Sequence, residues 1–154
     1  MLLVSAKSPF GEIGLCNVHL PSPRYGLTAV VDRQTLIAPA RKAQLERETT
    51  NREDQSAAIE KAAAELLPDV IIAGDFNMPT DSAIYRRDWS GHCNAFSSAG
   101  LGFGYTILSP YPACPFGVRI DHVLSGPSWA PARAWVGPDL GSDHLPVIAE
   151  LRRR

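Results

Sequence analysis

The stretch "VIIAGDFNMP", residues 70–79, decides how this chain is read. Val70 to Ala73 form a short apolar run of the kind that makes a buried strand, because an interior strand presents no polar face. The run then ends in Asp75 and Asn77. Side chains alternate along a strand, so Asp75 and Asn77 are expected on one side and Phe76 on the other, in the core. Polar groups at the carboxyl end of a buried strand sit where open α/β sheets bind their ligands. A tight turn accounts for the same residues, since Asp and Asn cap chain reversals and Gly74 and Pro79 are close by. Taken alone, the pair leaves both readings open.

Upstream, from about Pro39 to Leu67, the composition turns to Ala, Leu, Glu, Arg, Lys and Gln, all good helix formers, until Pro68 stops the run. Leu45, Ser56, Ile59, Ala63 and Leu66 recur at the spacing of one helical face. Thr50 with Glu53 has the form of a capping box, which leaves one helix or two open. Before that, "LLVSAK" and "LCNVHL" read as two strands joined by a turn through "SPFGEIG". Downstream, Met78 to Gly117 is loop-rich, and "RIDHVLSG", "ARAWVG" and "LPVIAEL" read as three further short strands. The closing "RRR" reads as a solvated tail. A helix handing over to a buried strand is the mark of a layered α/β domain, here taken as a single domain over residues 1–154.

With 154 residues the chain has room for one core. Charged residues make up 20% and the formal net charge is −1, which argues against a protein that coats nucleic acid by charge alone. Of the 15 cationic residues twelve are Arg, whose planar fork suits phosphate or carboxylate oxygens. No stretch has the length and apolarity of a membrane span, and the opening "MLLVSA" lacks the form of a signal peptide; localisation stays open, with cytoplasmic as the default expectation. Cys16, Cys93 and Cys114 have no clip spacing and are expected as buried thiols. His92 beside Cys93 is read as a surface accident.

The apolar run that ends in a polar group recurs. "NVHLP" puts His19 at a strand end. "RIDHVLSG" puts Asp121 within a strand whose Ile120, Val123 and Leu124 are apolar; a carboxylate there is costly unless paired. "GSDHLPVIAEL" supplies a partner, with Asp143 and His144 at the mouth of the last strand and the imidazole able to hydrogen-bond Asp121. Three aspartates, an asparagine and two histidines suit hydrolysis assisted by a hard divalent cation. The nucleophile elbow of a serine hydrolase and the Walker phosphate loop are both absent.

Together "NVHLP", "AGDFNMP", "RIDHVL" and "GSDHLPV" resemble the endonuclease/exonuclease/phosphatase superfamily, of deoxyribonuclease I-like fold. The resemblance spans Cys16 to Leu151 and implies an α/β fold, a partial four-layer α/β sandwich, with Mg²⁺- or Mn²⁺-dependent hydrolysis of a phosphoester. It implies that His144, held by Asp121, contacts the scissile phosphate as the acid/base group, and that Asp143 is a metal ligand. By the same resemblance Asp75 and Asn77 position the attacking water and a phosphate oxygen, Asp75 also standing as a metal ligand, and His19 is the second phosphate-contacting or general-acid histidine. Arg24, Arg52 and Tyr105 are placed at the cleft as substrate-binding residues by position. The implied activity is that of a phosphodiesterase or nuclease acting on DNA, RNA or another phosphodiester.

The family's domains run to about 250 residues, a length one α/β domain commonly reaches. They begin with strands bearing an Asn and a metal-binding Glu that have no counterpart here. Roughly the first two-fifths of the domain is therefore expected to be missing, with sheet edges or core faces left uncovered. Three ways of filling the gap are expected: the chain is a fragment of a longer gene product, it pairs with a complementing chain, or it self-associates as a homodimer. The rival expectation is a catalytically impaired remnant that binds or merely folds.

Overall fold

The computed structural model describes residues 1–9, 11–23, 39–66, 69–108 and 116–154. Its frame is a sheet of five strands, in the order β1-β2-β3-β7-β4: β1 (Leu2–Ser8), β2 (Gly11–His19), β3 (Val70–Asp75), β4 (Cys93–Asn94) and β7 (Asp121–Ser125). β1 and β2 form an antiparallel hairpin in which Ser8 faces Gly11, so the expected turn "SPFGEIG" is shorter than its composition suggests and Gly11 to Gly14 belong to the strand. β2 and β3 run parallel, and the connection between them contains α1 (Pro39–Ala64). That segment is one unbroken helix of 26 residues, which resolves the Thr50–Glu53 alternative.

The periodicity of α1 is borne out in its second half, where Ser56, Ile59 and Ala63 are buried and Leu66 packs beside them. They cover Cys16, Val18, Val70, Ile72 and Leu124 on one face of the sheet. Between β3 and β7 the chain is less irregular than its composition suggests. Ser82 caps α2 (Ala83–Asp88) by accepting from the Tyr85 amide at 3.1 Å, and Asn94 caps α3 (Ala95–Ala99) by accepting from the Ser97 amide at 3.0 Å. Two-strand pairs complete the frame: β5 (Ile107–Leu108) with β6 (Gly117–Val118), and β8 (Trp129–Val136) with β9 (Val147–Arg153). Val123 points to the second face of the sheet, opposite Leu124, and packs with Phe96 of α3 and with Ala134, Val136, Ala149 and Leu151 of the β8–β9 pair.

Helices, sheet and second strand pair therefore lie in layers, an α/β arrangement. The carboxyl-terminal arginines are exposed, as expected of a solvated segment, but they are not a loose tail. β9 runs through Arg153, which is ion-paired with Asp69 and lies 5.3 Å over the Trp129 ring. Nor is His92 a surface residue, because its side chain is almost fully buried with Nε2 3.7 Å from Glu60. Of the thiols, Cys16 is buried and Cys93 is partly exposed, 3.3 Å from the Ser98 hydroxyl; Cys114 lies outside the described residues.

Candidate active site

Register builds the site. His19 pairs with Asp75 across β2 and β3, and Asp75 pairs with Asp121 across β3 and β7, so three polar residues form a row across three neighbouring strands. Residues opposite one another share a face. Here it is the second face, since Cys16, Val18, Ile72 and Leu124, one or three positions away, all point towards α1. The loop between β8 and β9 brings in the fourth group: His144 Nδ1 lies 2.9 Å from Asp121 Oδ2. Ligating atoms of Asp75, Asp121 and His144 all lie within 4.8 Å of one another. His19 Nε2 is 3.8 Å from Asp75 Oδ2, with 76% of its side chain in solvent.

Asp121 opens β7 instead of lying within it, as the sequence reading had it. Asn77 reaches the site by a different route from simple alternation. β3 ends at Asp75, and Asn77 sits beyond it with φ +50°, a left-handed conformation that Asn tolerates better than most residues. Its backbone N–H donates to Asp75 Oδ1 at 2.7 Å, and its amide donates to Asp75 Oδ2 and to the Leu20 carbonyl, both at 2.8 Å. The turn reading and the site reading of "GDFN" thus describe one object: a turn that grips the carboxylate.

Behind the row lies the core. Phe76 is fully buried, edge-on to Trp89 at 4.9 Å and to His122 at 5.2 Å, while Trp89 Nε1 donates to Ser56 Oγ at 2.9 Å. Burying a ring of this size is worth about 1.5–3 kcal/mol, so the chain beside Asp75 is firmly anchored. Gly74 lets the strands close. Its φ is +141°, and a Cβ there would stand 2.0 Å from the Val18 carbonyl oxygen.

Burial holds the Asp75 carboxyl above its ordinary pKa; the Asn77 amide opposes this, and the neighbouring Asp121 adds to it. Two carboxylates side by side and partly out of water repel one another, and a cation relieves exactly such a strain in charge. Oxygen-rich donors of this kind suit Mg²⁺ or Mn²⁺, so the residues present fit a hard divalent ion.

Other anticipated residues fall around this centre. Asp143 is exposed, within 3.4 Å of the Ser142 hydroxyl, and is not one of the three clustered ligands. Arg52 is half-buried and donates to the carbonyls of Pro21, at 3.1 Å, and Asn77, at 3.0 Å; it ties the segment after β2 to the turn after β3. Tyr105 is stacked on Phe103 at the surface. Arg24 lies outside the described residues. The sequence reading missed Thr106, next to Tyr105. Its hydroxyl accepts from the Ile120 and Asp121 amides at 3.1 and 3.3 Å, and its carbonyl accepts from the Leu145 amide at 2.8 Å, so one residue fixes the backbone beside both Asp121 and His144. Nothing local marks a Thr after a glycine-rich stretch as such an anchor.

An α/β layering that gathers carboxylates and histidines at its strand ends is an arrangement of the deoxyribonuclease I-like fold class. The chain belongs to the Endonuclease/Exonuclease/phosphatase family, which it matches over residues 3–144. No curated protein matches it in sequence. Among solved structures it is similar to D. rerio TDP2 complexed with single strand DNA product (TM-score 0.65, 17% identity, 97% of this chain and 60% of that one). It is also similar to an endonuclease/exonuclease/phosphatase from Beutenbergia cavernae (0.64, 19%, 98% and 38%) and to the endonuclease domain of TRAS1, a telomere-specific non-LTR retrotransposon (0.59, 15%, 98% and 63%). The chain thus spans less than two thirds of each of these structures.

Proposed function

We propose that this chain carries the site of a divalent-metal-dependent phosphodiesterase acting on DNA or RNA. The observation that carries the reading is the row of His19, Asp75 and Asp121 joined by His144. Asp75 and Asp121, with His144 beside them, would hold the ion, and Asp143, one residue away, is proposed as a further carboxylate. Bound Mg²⁺ or Mn²⁺ supplies charge that stabilises the developing negative charge on the phosphoryl group. The Nδ1 proton of His144 is held by Asp121, so Nε2 presents a lone pair able to take or return a proton. Asn77 keeps Asp75 in one orientation, and that carboxylate orients the attacking water. His19, open to solvent, assists the leaving oxygen or a phosphoryl oxygen, while Arg52 keeps the two loops together and Tyr105 borders the substrate. A nucleic-acid substrate is suggested by the names of two similar structures, one solved with a single strand DNA product and one an endonuclease domain, while a mannosyl-6-phosphatase shares the fold as well.

The test is turnover of plasmid DNA, RNA and a chromogenic phosphodiester with Mg²⁺, Mn²⁺ or EDTA. EDTA should silence it, and Asp75→Ala or His144→Ala should lower it by at least a hundred-fold with the fold intact. Undiminished turnover in either variant removes the mechanism.

A second reading has its own observation. β1 forms an edge of the five-stranded sheet and exposes Leu2, Leu3 and Val4, with Leu15 exposed on its neighbour. Apolar edge strands invite pairing with another chain. A second copy or a complementing chain covering this edge, and completing a site that is impaired alone, is the alternative. A compact monomer at every concentration in sedimentation, active by itself, excludes it.

A further inference from the structure

Of the apolar surface around Tyr105, the chemistry above uses neither Leu101 nor Phe103. Leu101, Phe103 and Tyr105 stand out on the segment before Thr106, with Phe103 77% exposed. Apolar side chains gathered at a surface in this way mark interaction sites. Phe103 and Tyr105 are also ordered with respect to one another: their rings are parallel within 6°, with centroids 5.2 Å apart. The Tyr105 ring rests against bare backbone, since a Cβ on Gly117 would lie 2.3 Å from its Cγ. A glycine in β6 thus makes the seat for the tyrosine, and the tyrosine carries the phenylalanine.

The location is as informative as the stack. Tyr105 immediately precedes Thr106, the residue that fixes the backbone at Asp121 and at Leu145, beside His144. Tyr105 also borders a groove of about 570 Å³ walled by Phe96, Leu101, Ala134 and Trp135, with Arg133 lying 5.1 Å over the Trp135 ring. Flat rings and a guanidinium together suit a ligand that alternates planar bases with phosphates.

We propose that Phe103, seated on Tyr105, is a stacking platform for an unpaired base of a single-stranded nucleic acid whose scissile phosphate enters the site. The inference rests on the phosphodiesterase reading and names its substrate class. A base within a duplex has both faces covered by its neighbours and cannot use the platform; an unpaired base extends the parallel pair as a third ring. A lipid surface fits less well, because insertion calls for a cationic rim and gains nothing from ring-on-ring order.

Binding is measured in EDTA, so that turnover plays no part, by fluorescence anisotropy with a labelled oligothymidine, the same strand lacking its bases, a duplex, and phosphatidylserine/phosphatidylcholine vesicles. The oligothymidine should bind about ten-fold more tightly than the base-free strand, in line with the worth of one base–aromatic stack. Phe103→Ala and Phe103→Leu should both erase that ratio, and Phe103→Trp should keep it. Equal affinity for the base-free strand, a Leu variant as good as the native protein, or a Phe103 dependence seen with vesicles and not with oligothymidine would each overturn the platform. Turnover of bis(4-nitrophenyl) phosphate with Mn²⁺ separates the two readings. Turnover without base-dependent binding sinks the platform alone, while base-dependent binding with no turnover of any phosphoester sinks the enzymatic reading and leaves the platform standing.

Discussion

Replacing Gly74 by Ala tests the frame on which the site depends. The residue has φ +141°, and its new Cβ would meet the Val18 carbonyl oxygen at 2.0 Å, with the Val18 carbonyl carbon and amide nitrogen near 3 Å. These are backbone atoms of the paired strand, so no side chain can swing aside. Relief requires β2 and β3 to part by roughly 1 Å at that point, given that a backbone hydrogen bond tolerates only a few tenths of an ångström. The disfavoured backbone costs about 1–3 kcal/mol. A weakened backbone bond between the two strands' ends, such as that from the Leu20 amide to the Asp75 carbonyl at 3.0 Å, costs about 1 kcal/mol more. The expected loss is therefore about 2–4 kcal/mol in urea unfolding, against about 1–2 kcal/mol for Gly141→Ala, where φ is also positive (+84°) but nothing lies within 4 Å. Because Asp75 follows Gly74 and pairs with His19, any folded Gly74→Ala protein should also lose metal-stimulated turnover. A Gly74→Ala variant as stable as Gly141→Ala, with full activity, would show that strand closure at this point does not set the site.

Thr106→Val keeps the shape and removes the acceptor of two amides, those of Ile120 and Asp121. A loss of about 1–3 kcal/mol is expected, with kcat falling more than KM rises, and Thr106→Ser should restore both; a neutral Val variant would refute the anchoring role. His122 gives a pH dependence. It is buried, 3.0 Å from the Met78 carbonyl oxygen and 3.3 Å from Asn94, and burial takes its pKa from 6.5 to about 4. On acidification the unfolded chain takes up this proton first, so the contribution is complete above pH 6.5 and is lost progressively down to about 4. That amounts to about 3 kcal/mol over the whole window, most of it already visible in urea midpoints between pH 7 and 5. The fall should shrink in His122→Asn, and an identical pH profile in that variant would contradict the assignment.

How far the sequence reaches is best seen at individual residues. Phe76 was legible as a core residue because an apolar run has one local meaning, and the second half of α1 was legible because helical period is a property of neighbours. His19, Asp75, Asp121 and His144 were legible as a set, since each follows or opens an apolar run. Asn77 was picked for the wrong local reason: alternation ends at Asp75, and the side chain is held by the Leu20 carbonyl, 57 positions away. Arg52 and Thr106 were illegible as clamps, because a guanidinium on a helix or a hydroxyl in a loop acquires its partners only when distant backbone arrives. The burial of His92 and the strand through Arg153 were misread for the same cause.

By itself, then, the order of residues determined which segments bury themselves and which chemical groups stand at their ends. Both follow from side-chain chemistry and short-range periodicity. Only the tertiary structure decided that His19, Asp75 and Asp121 share one register and that a remote loop sets His144 against Asp121. Register is fixed by packing and hydrogen bonds between strands far apart in the chain, and a slip of one residue would turn each of these groups to the opposite face.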